Sequence, residues 1–172
     1  MHSTGSECQV PNASRTALMT TPLQDLYPDS YAHCHGCGRL NADGLHIKST
    51  WSDGVAHARF SPAPSHLSMP GYVYGGLIAS LIDCHAMATA AAATMVAAGE
   101  VPGRDETRRF VTASLQVDFL KPTPMGVELV LRARPGEVGE RKVLVEVQVS
   151  AGDVEVARGR VTAVRLPAHM GA

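Results

Sequence analysis

The chain lacks most of what would mark a specialised class of protein. Fifteen Lys and Arg against sixteen Asp and Glu leave a net charge of −1, without the basic excess of a nucleic-acid-binding domain. Four cysteines in 172 residues, one near the N-terminus and one inside an apolar run, do not make a secreted disulfide framework. The opening stretch MHSTGSECQVPNASRTALMT has no cationic segment leading into an apolar core, so no signal peptide is read there and a soluble cytoplasmic protein is expected. No internal repeat occurs, and 172 residues fit one domain that buries roughly two-thirds of the surface its unfolded chain exposes. Formal charge is scarcest between residues 61 and 99, where Asp83 stands alone. The run from Gly76 to Ala98 is long enough for a membrane span. Its alanine content and the cost of Asp83 and His85 at mid-bilayer argue against one.

What is present has a clear order. Residues 1 to about 30, with Pro11, Pro22 and Pro28, read as a loose arm with one helical turn near Leu23–Leu26. HCHGCGRLNADG, 33–44, is loop-like. Leu45–Trp51 and Val55–Phe60 read as strands joined by a hairpin turn at Ser52-Asp53-Gly54. SPAPSHLSMPG, 61–71, holds three prolines and is not expected to form regular structure. From about Gly76 to Ala98 the alanine-rich run predicts a helix closed by Gly99, apolar nearly all round and therefore buried on most faces. The period then changes to two: 111–120, 127–134, 142–151 and 154–165 read as strands with short connections, hence an antiparallel sheet. The domain is expected over 44–166, after an arm and Cys/Gly-rich loop at 1–43 and before a tail at 167–172. Its class is α+β: a curved antiparallel sheet wrapped around one long helix.

These residues carry a likeness. Tyr74-Gly75-Gly76 with Asp83 beyond it, followed by VTASLQVDFLKPTPMG at 111–126, resembles the hotdog-fold thioesterases, most of all the phenylacetate-pathway and human thioesterase-superfamily type of acyl-CoA thioesterase. The likeness covers about residues 44–166. It implies a sheet wrapped around the helix, edge-to-edge dimers that often assemble into dimers of dimers or trimers of dimers, and sites at the dimer interface. It implies no cofactor and no metal, and an acyl-CoA substrate. Asp83 matches the catalytic acid as nucleophile or general base, Gly75 the donor of an oxyanion N–H, and Thr112 the hydroxyl partner. Tyr74 stands where that branch carries histidine, and Ser68 where the human type carries asparagine. Tyr74, Gly76, Ser68 and His66, a possible replacement donor, are the expected substrate contacts.

Physical reasoning supports part of this assignment independently. Thioester hydrolysis needs a carboxylate to attack or to activate water, and donors for the developing oxyanion. A helix N-terminus supplies free N–H groups and a positive dipole end, and glycine lets a carbonyl approach. A lone carboxylate on an apolar helix is costly unless paired or functional; the alternative for Asp83 is a hydrogen bond that holds an interface. Thr112 is alternatively an ordinary strand residue, and His66 a surface loop histidine.

His85 is no partner for Asp83, because residues two apart point about 200° apart on a helix; a satisfied core histidine is expected. Cys84 reads as a small buried hydrophobe. Cys34-x-x-Cys37 with His33 and His35 invites zinc, but structural zinc normally takes four ligands and only His46 lies near in sequence; small buried thiols are expected. Arg104, Arg108, Arg109 and Lys121 are candidates for coenzyme A phosphates or a solvated rim. Against hydrolysis stand a non-catalytic acyl-CoA-binding hotdog protein, a hydratase, for which no D-x-N-x-x-H pattern is found, and an interaction protein using the helix as a dimer core.

Overall fold

The computed structural model of the chain describes residues 21–103 and 107–167. Among the described residues, eight strands and one α-helix follow in chain order: β1 (Ser49–Ser52), β2 (Val55–Phe60), β3 (Leu67–Met69), β4 (Tyr72–Val73), α1 (Gly75–Ala97), β5 (Phe110–Phe119), β6 (Leu129–Val138), β7 (Lys142–Ala151) and β8 (Val154–Arg165). Six of them form one antiparallel sheet in the order β1-β2-β6-β7-β8-β5. The helix packs on all six of these strands. Six strands spaced about 4.8 Å apart make a sheet far wider than a helix about 10 Å across, so the sheet must curve around α1. This is the hotdog architecture.

Local chemistry explains the elements. Asp53 and Gly54 both have positive φ, 50° and 76°, as a two-residue hairpin turn requires, and they set Ser52 opposite Val55. In α1, Leu77, Ile78, Leu81, Ile82 and the run Ala90–Ala93 are buried. Small side chains let the sheet close on the helix, and at one point only glycine fits: a β-carbon on Gly159 of β8 would stand 2.3 Å from Ile82 Cγ2. The helix is long and apolar enough to cross a membrane, and 72% of its most apolar stretch is buried inside the protein.

Two expectations need correction. Within the proline-rich stretch, β3 pairs antiparallel with β4, Leu67 opposite Val73 and Met69 opposite Tyr72. Pro70 and Gly71, the latter at φ 88°, supply the tight turn. The arm is not loose from residue 21 onward. Leu23–Leu26 forms a 3-10 turn, and Leu23 and Tyr27 belong to the hydrophobic core. Residues 1–20, 104–106 and 168–172 lie outside the described residues, and with them Cys8, Arg104 and most of the expected tail.

Candidate active site

Gly75 is the first residue of α1, and Tyr74, its N-cap, makes no side-chain capping bond. The first-turn N–H groups are thus not spent on a capping side chain. A cavity of about 510 Å³ opens beside them, lined by Gly75, Ser68, Tyr72, Ile78, Phe119 and Lys121 among others. Gly75 faces the ring of Phe119: a β-carbon there would stand 3.3 Å from its Cζ, so glycine keeps the cavity wall open beside the amide. Ser68 reaches the same cavity with its hydroxyl turned to backbone, donating to the Tyr72 carbonyl at 3.3 Å.

Two turns further along, the half-buried Asp83 accepts a hydrogen bond from the Thr112 hydroxyl of β5 through Oδ1. Burial pushes the Asp83 carboxyl above the ordinary carboxylate range, and the Thr112 bond offsets part of that rise. Among the described residues no Lys, Arg or His forms an ion pair with it. The pairing of acid and hydroxyl is therefore present within one chain, while acid and glycine are not together. Asp83 stands eight positions after Gly75 on the helix, an axial distance of about 12 Å, too far for both to touch one carbonyl.

The other expected contacts divide. The Tyr74 ring lies over Gly76, where a β-carbon would stand 2.4 Å from Tyr74 Cε1, and Tyr74 is 58% exposed. His66 serves its own turn: its Nδ1 accepts the Ala63 N–H at 3.0 Å, and its ring lies 5.7 Å from that of Phe60. Neither Tyr74 nor His66 lines the cavity. Of the candidate cations, Arg108 is paired with Glu100 at 2.6 Å, and Arg109 lies 4.1 Å over the Tyr27 ring and 4.7 Å over that of Tyr31. Lys121 lines the cavity.

His85 points into the core, as its helical phase requires. Its Nδ1 meets Ser49 Oγ at 2.8 Å, and Ser49 is bonded in turn to Gln24 through both hydroxyl, 2.8 Å, and backbone N–H, 2.7 Å. Burial lowers the imidazole to about 3, so it is neutral and structural. Cys84 does more than fill space: its sulfur lies 3.7 Å from that of Cys34. Cys34 is the thiol held lowest, by hydrogen bonds from the Cys37 and Cys84 thiols, while Cys37 is pushed up to about 12 by its bond to Cys34. Sequence spacing hid this cluster, because its third member comes from an element 50 residues away. Phe119 was equally unmarked; its only signal was its place at the end of β5, just before the Lys121-Pro122 turn that joins it in the cavity wall.

A curved sheet around one helix, with a carboxylate on the helix and a glycine at its start, defines a hotdog protein of the thioesterase kind. The thioesterase superfamily profile matches residues 70–158, and the chain belongs to that superfamily. It is 29% identical over 128 residues, 72% of this chain, to the acyl-coenzyme A thioesterase THEM4 of Xenopus laevis, of which it spans 52%. A thioesterase superfamily protein of Shewanella loihica is 45% identical, with a TM-score of 0.62 over 82% of this chain and 100% of that one. The PaaI protein from the phenylacetic acid degradation operon of E. coli, 18% identical, shares the fold with a TM-score of 0.59 over 72% of this chain and 81% of its own.

Proposed function

We propose that the protein hydrolyses an acyl-CoA thioester to the free acid and coenzyme A. The observation that carries this reading is Asp83: a half-buried carboxylate on an apolar helix, with a hydroxyl as its partner and, among the described residues, no cation ion-paired with it. A structural carboxylate would be expected to have its charge compensated; one kept reactive would not. Asp83 attacks the thioester carbonyl or removes a proton from the attacking water, and Thr112 holds the carboxylate in place. The Gly75 N–H, at the positive end of α1, receives the charge that develops on the carbonyl oxygen. Water supplies OH to the acid and H to the departing CoA thiol. The relative named an acyl-coenzyme A thioesterase supports the substrate class, as does Lys121, a cation beside the cavity that suits a phosphate.

The separation of about 12 Å supports a site in which Gly75 and Asp83 come from two copies of the chain. Two features favour such a pairing. β5, which bears Thr112, is an edge strand of ten residues, and its exposed side chains include Leu115 and Phe119; long uncovered edges invite another strand. Gly76, Ser80, Asp83 and Met87, spaced to share one face of α1, are only partly buried in the single chain. A second copy placed across β5 covers that stripe.

The test is a hydrolysis screen over short, long and aromatic acyl-CoAs, with wild type and Asp83→Asn side by side. Turnover of at least one class by wild type, and a drop of roughly 100-fold or more in the variant, is expected. Equal rates would refute the role of Asp83, and tight acyl-CoA binding without turnover in wild type would make the protein a carrier.

A further inference from the structure

Away from the cavity, three thiols from two distant stretches converge. Cys34 and Cys37 lie in the loop before β1, and Cys84 on α1, yet their three sulfurs all fall within 4.8 Å of one another. The Cys34 and Cys84 sulfurs are 3.7 Å apart. Thiolates bound about 2.3 Å from a tetrahedral zinc ion stand about 3.8 Å from each other, whereas a disulfide requires about 2.05 Å. The spacing is that of sulfurs around a common centre.

The loop is shaped for this. The Gly38 N–H closes the turn onto the Cys34 carbonyl at 2.7 Å, the Leu45 N–H bonds the His35 carbonyl at 2.7 Å and the Ile47 N–H bonds the Gly36 carbonyl at 3.0 Å. Gly36 leaves the space the third sulfur takes: a β-carbon there would stand 2.3 Å from Cys84 Sγ. Gly38 is equally forced, since a β-carbon would stand 2.4 Å from the Ala32 carbonyl oxygen. Cys37 and Cys84 are buried and Cys34 is exposed, so the cluster has one closed side and one open side.

We propose that Cys34, Cys37 and Cys84 bind one zinc ion as thiolates. Its fourth coordination position lies on the open side of Cys34, where a water molecule or an imidazole from the same histidine-bearing loop completes the tetrahedron. Binding releases one proton for each sulfur that enters as a thiol, and leaves the zinc–thiolate centre with a charge of −1 before the fourth ligand. The ion fastens the loop to α1 at the residue next to Asp83. It plays no part in hydrolysis as proposed above, and the assignment stands whether or not that reading holds.

The experiment uses the full chain, reduced, stripped with a chelator, and reloaded anaerobically with zinc or with cobalt(II) as a spectroscopic substitute. Wild type is expected to retain one zinc per chain after desalting, and its cobalt form to show a thiolate-to-metal charge-transfer band in the near ultraviolet. Cys34→Ser, at the exposed end of the cluster, is expected to keep the fold by circular dichroism and to lose affinity by more than the roughly 10- to 100-fold that removal of an outer-shell partner costs. Gly36→Ala, which retains all three sulfurs, is expected to weaken binding by pushing Cys84 aside. Wild-type protein that takes up no stoichiometric zinc and shows no cobalt band would overturn the proposal. So would a disulfide between any two of these cysteines in the protein as purified, or Cys34→Ser binding zinc as tightly as wild type.

Discussion

Replacing Thr112 by valine isolates the part of the site that a single chain already assembles. The exchange keeps the β-branched shape that suits β5 and removes only the hydroxyl that donates to Asp83 Oδ1. Thr112 is exposed in the single chain. There a neutral donor on a solvated carboxylate contributes about 1 kcal/mol, and with water excluded by a second copy a bond to a charged group contributes about 1.5–3 kcal/mol. Each 1.36 kcal/mol is tenfold in rate. A hydroxyl that orients the reacting carboxylate under a covered interface therefore loses roughly 10- to 150-fold in kcat/KM when removed. The assay is release of the CoA thiol from the best acyl-CoA, followed with a thiol-reactive chromophore. Thr112→Ser restores the donor and is expected to recover most of the loss. The thermal midpoint should change little in either variant, because the position is open in the isolated fold. A Thr112→Val enzyme within about threefold of wild type would refute the orienting role, since even the solvated bond is expected to cost more than that.

Two further outcomes follow from the geometry. If Gly75 and Asp83 of one site belong to different chains, mixing Asp83→Asn with Gly75→Val subunits should restore about a quarter of wild-type turnover from two inactive parents, because half of the dimers are mixed and each carries one intact site; no recovery after verified subunit exchange would place both groups in one chain. Gly159→Ala should cost about 1–3 kcal/mol by forcing a methyl group into Ile82, lowering the thermal midpoint by roughly 2–4 °C for each kcal/mol, and the penalty should largely vanish in an Ile82→Ala background when measured by denaturant unfolding; additive effects would show that the close approach is not what requires glycine there.

The long elements were legible because their signals are local. Alanine content placed the helix to within one residue at each end, Gly75–Ala97 against an expected Gly76–Ala98, and alternation placed the strands after it, except that β6 runs Leu129–Val138 against an expected 127–134. Helical phase separated Asp83 from His85 without coordinates. The β3–β4 pair escaped because proline interrupts regular structure, although Pro70-Gly71 is itself a turn signal. Packing of the segment from Leu23 to Tyr27 onto the core escaped because its anchor, the Gln24–Ser49–His85 chain, joins three separate stretches that carry no mutual pattern. Arg108 and Arg109 looked like phosphate ligands by charge alone; their engagement with Glu100 and with two tyrosine rings is tertiary information.

The sequence Asp83-Cys84-His85 shows how one helix serves three neighbours. Successive residues advance by about 100°, and here each step meets a different partner: the Thr112 hydroxyl on the edge strand, the Cys34 sulfur in the N-terminal loop, and the Ser49 hydroxyl in the core. Two of the three contacts fix the rotation of the helix about its axis. A turn of the backbone that carried Asp83 away from Thr112 would also pull Cys84 from the Cys34–Cys37 loop and break the bond between buried His85 and Ser49. Removing one partner from a buried polar pair costs about 1–3 kcal/mol, so the His85 contact alone resists such a turn, and a metal held by the three sulfurs would add to it. Asp83 is half-buried beside the edge strand, and the two residues after it hold it there.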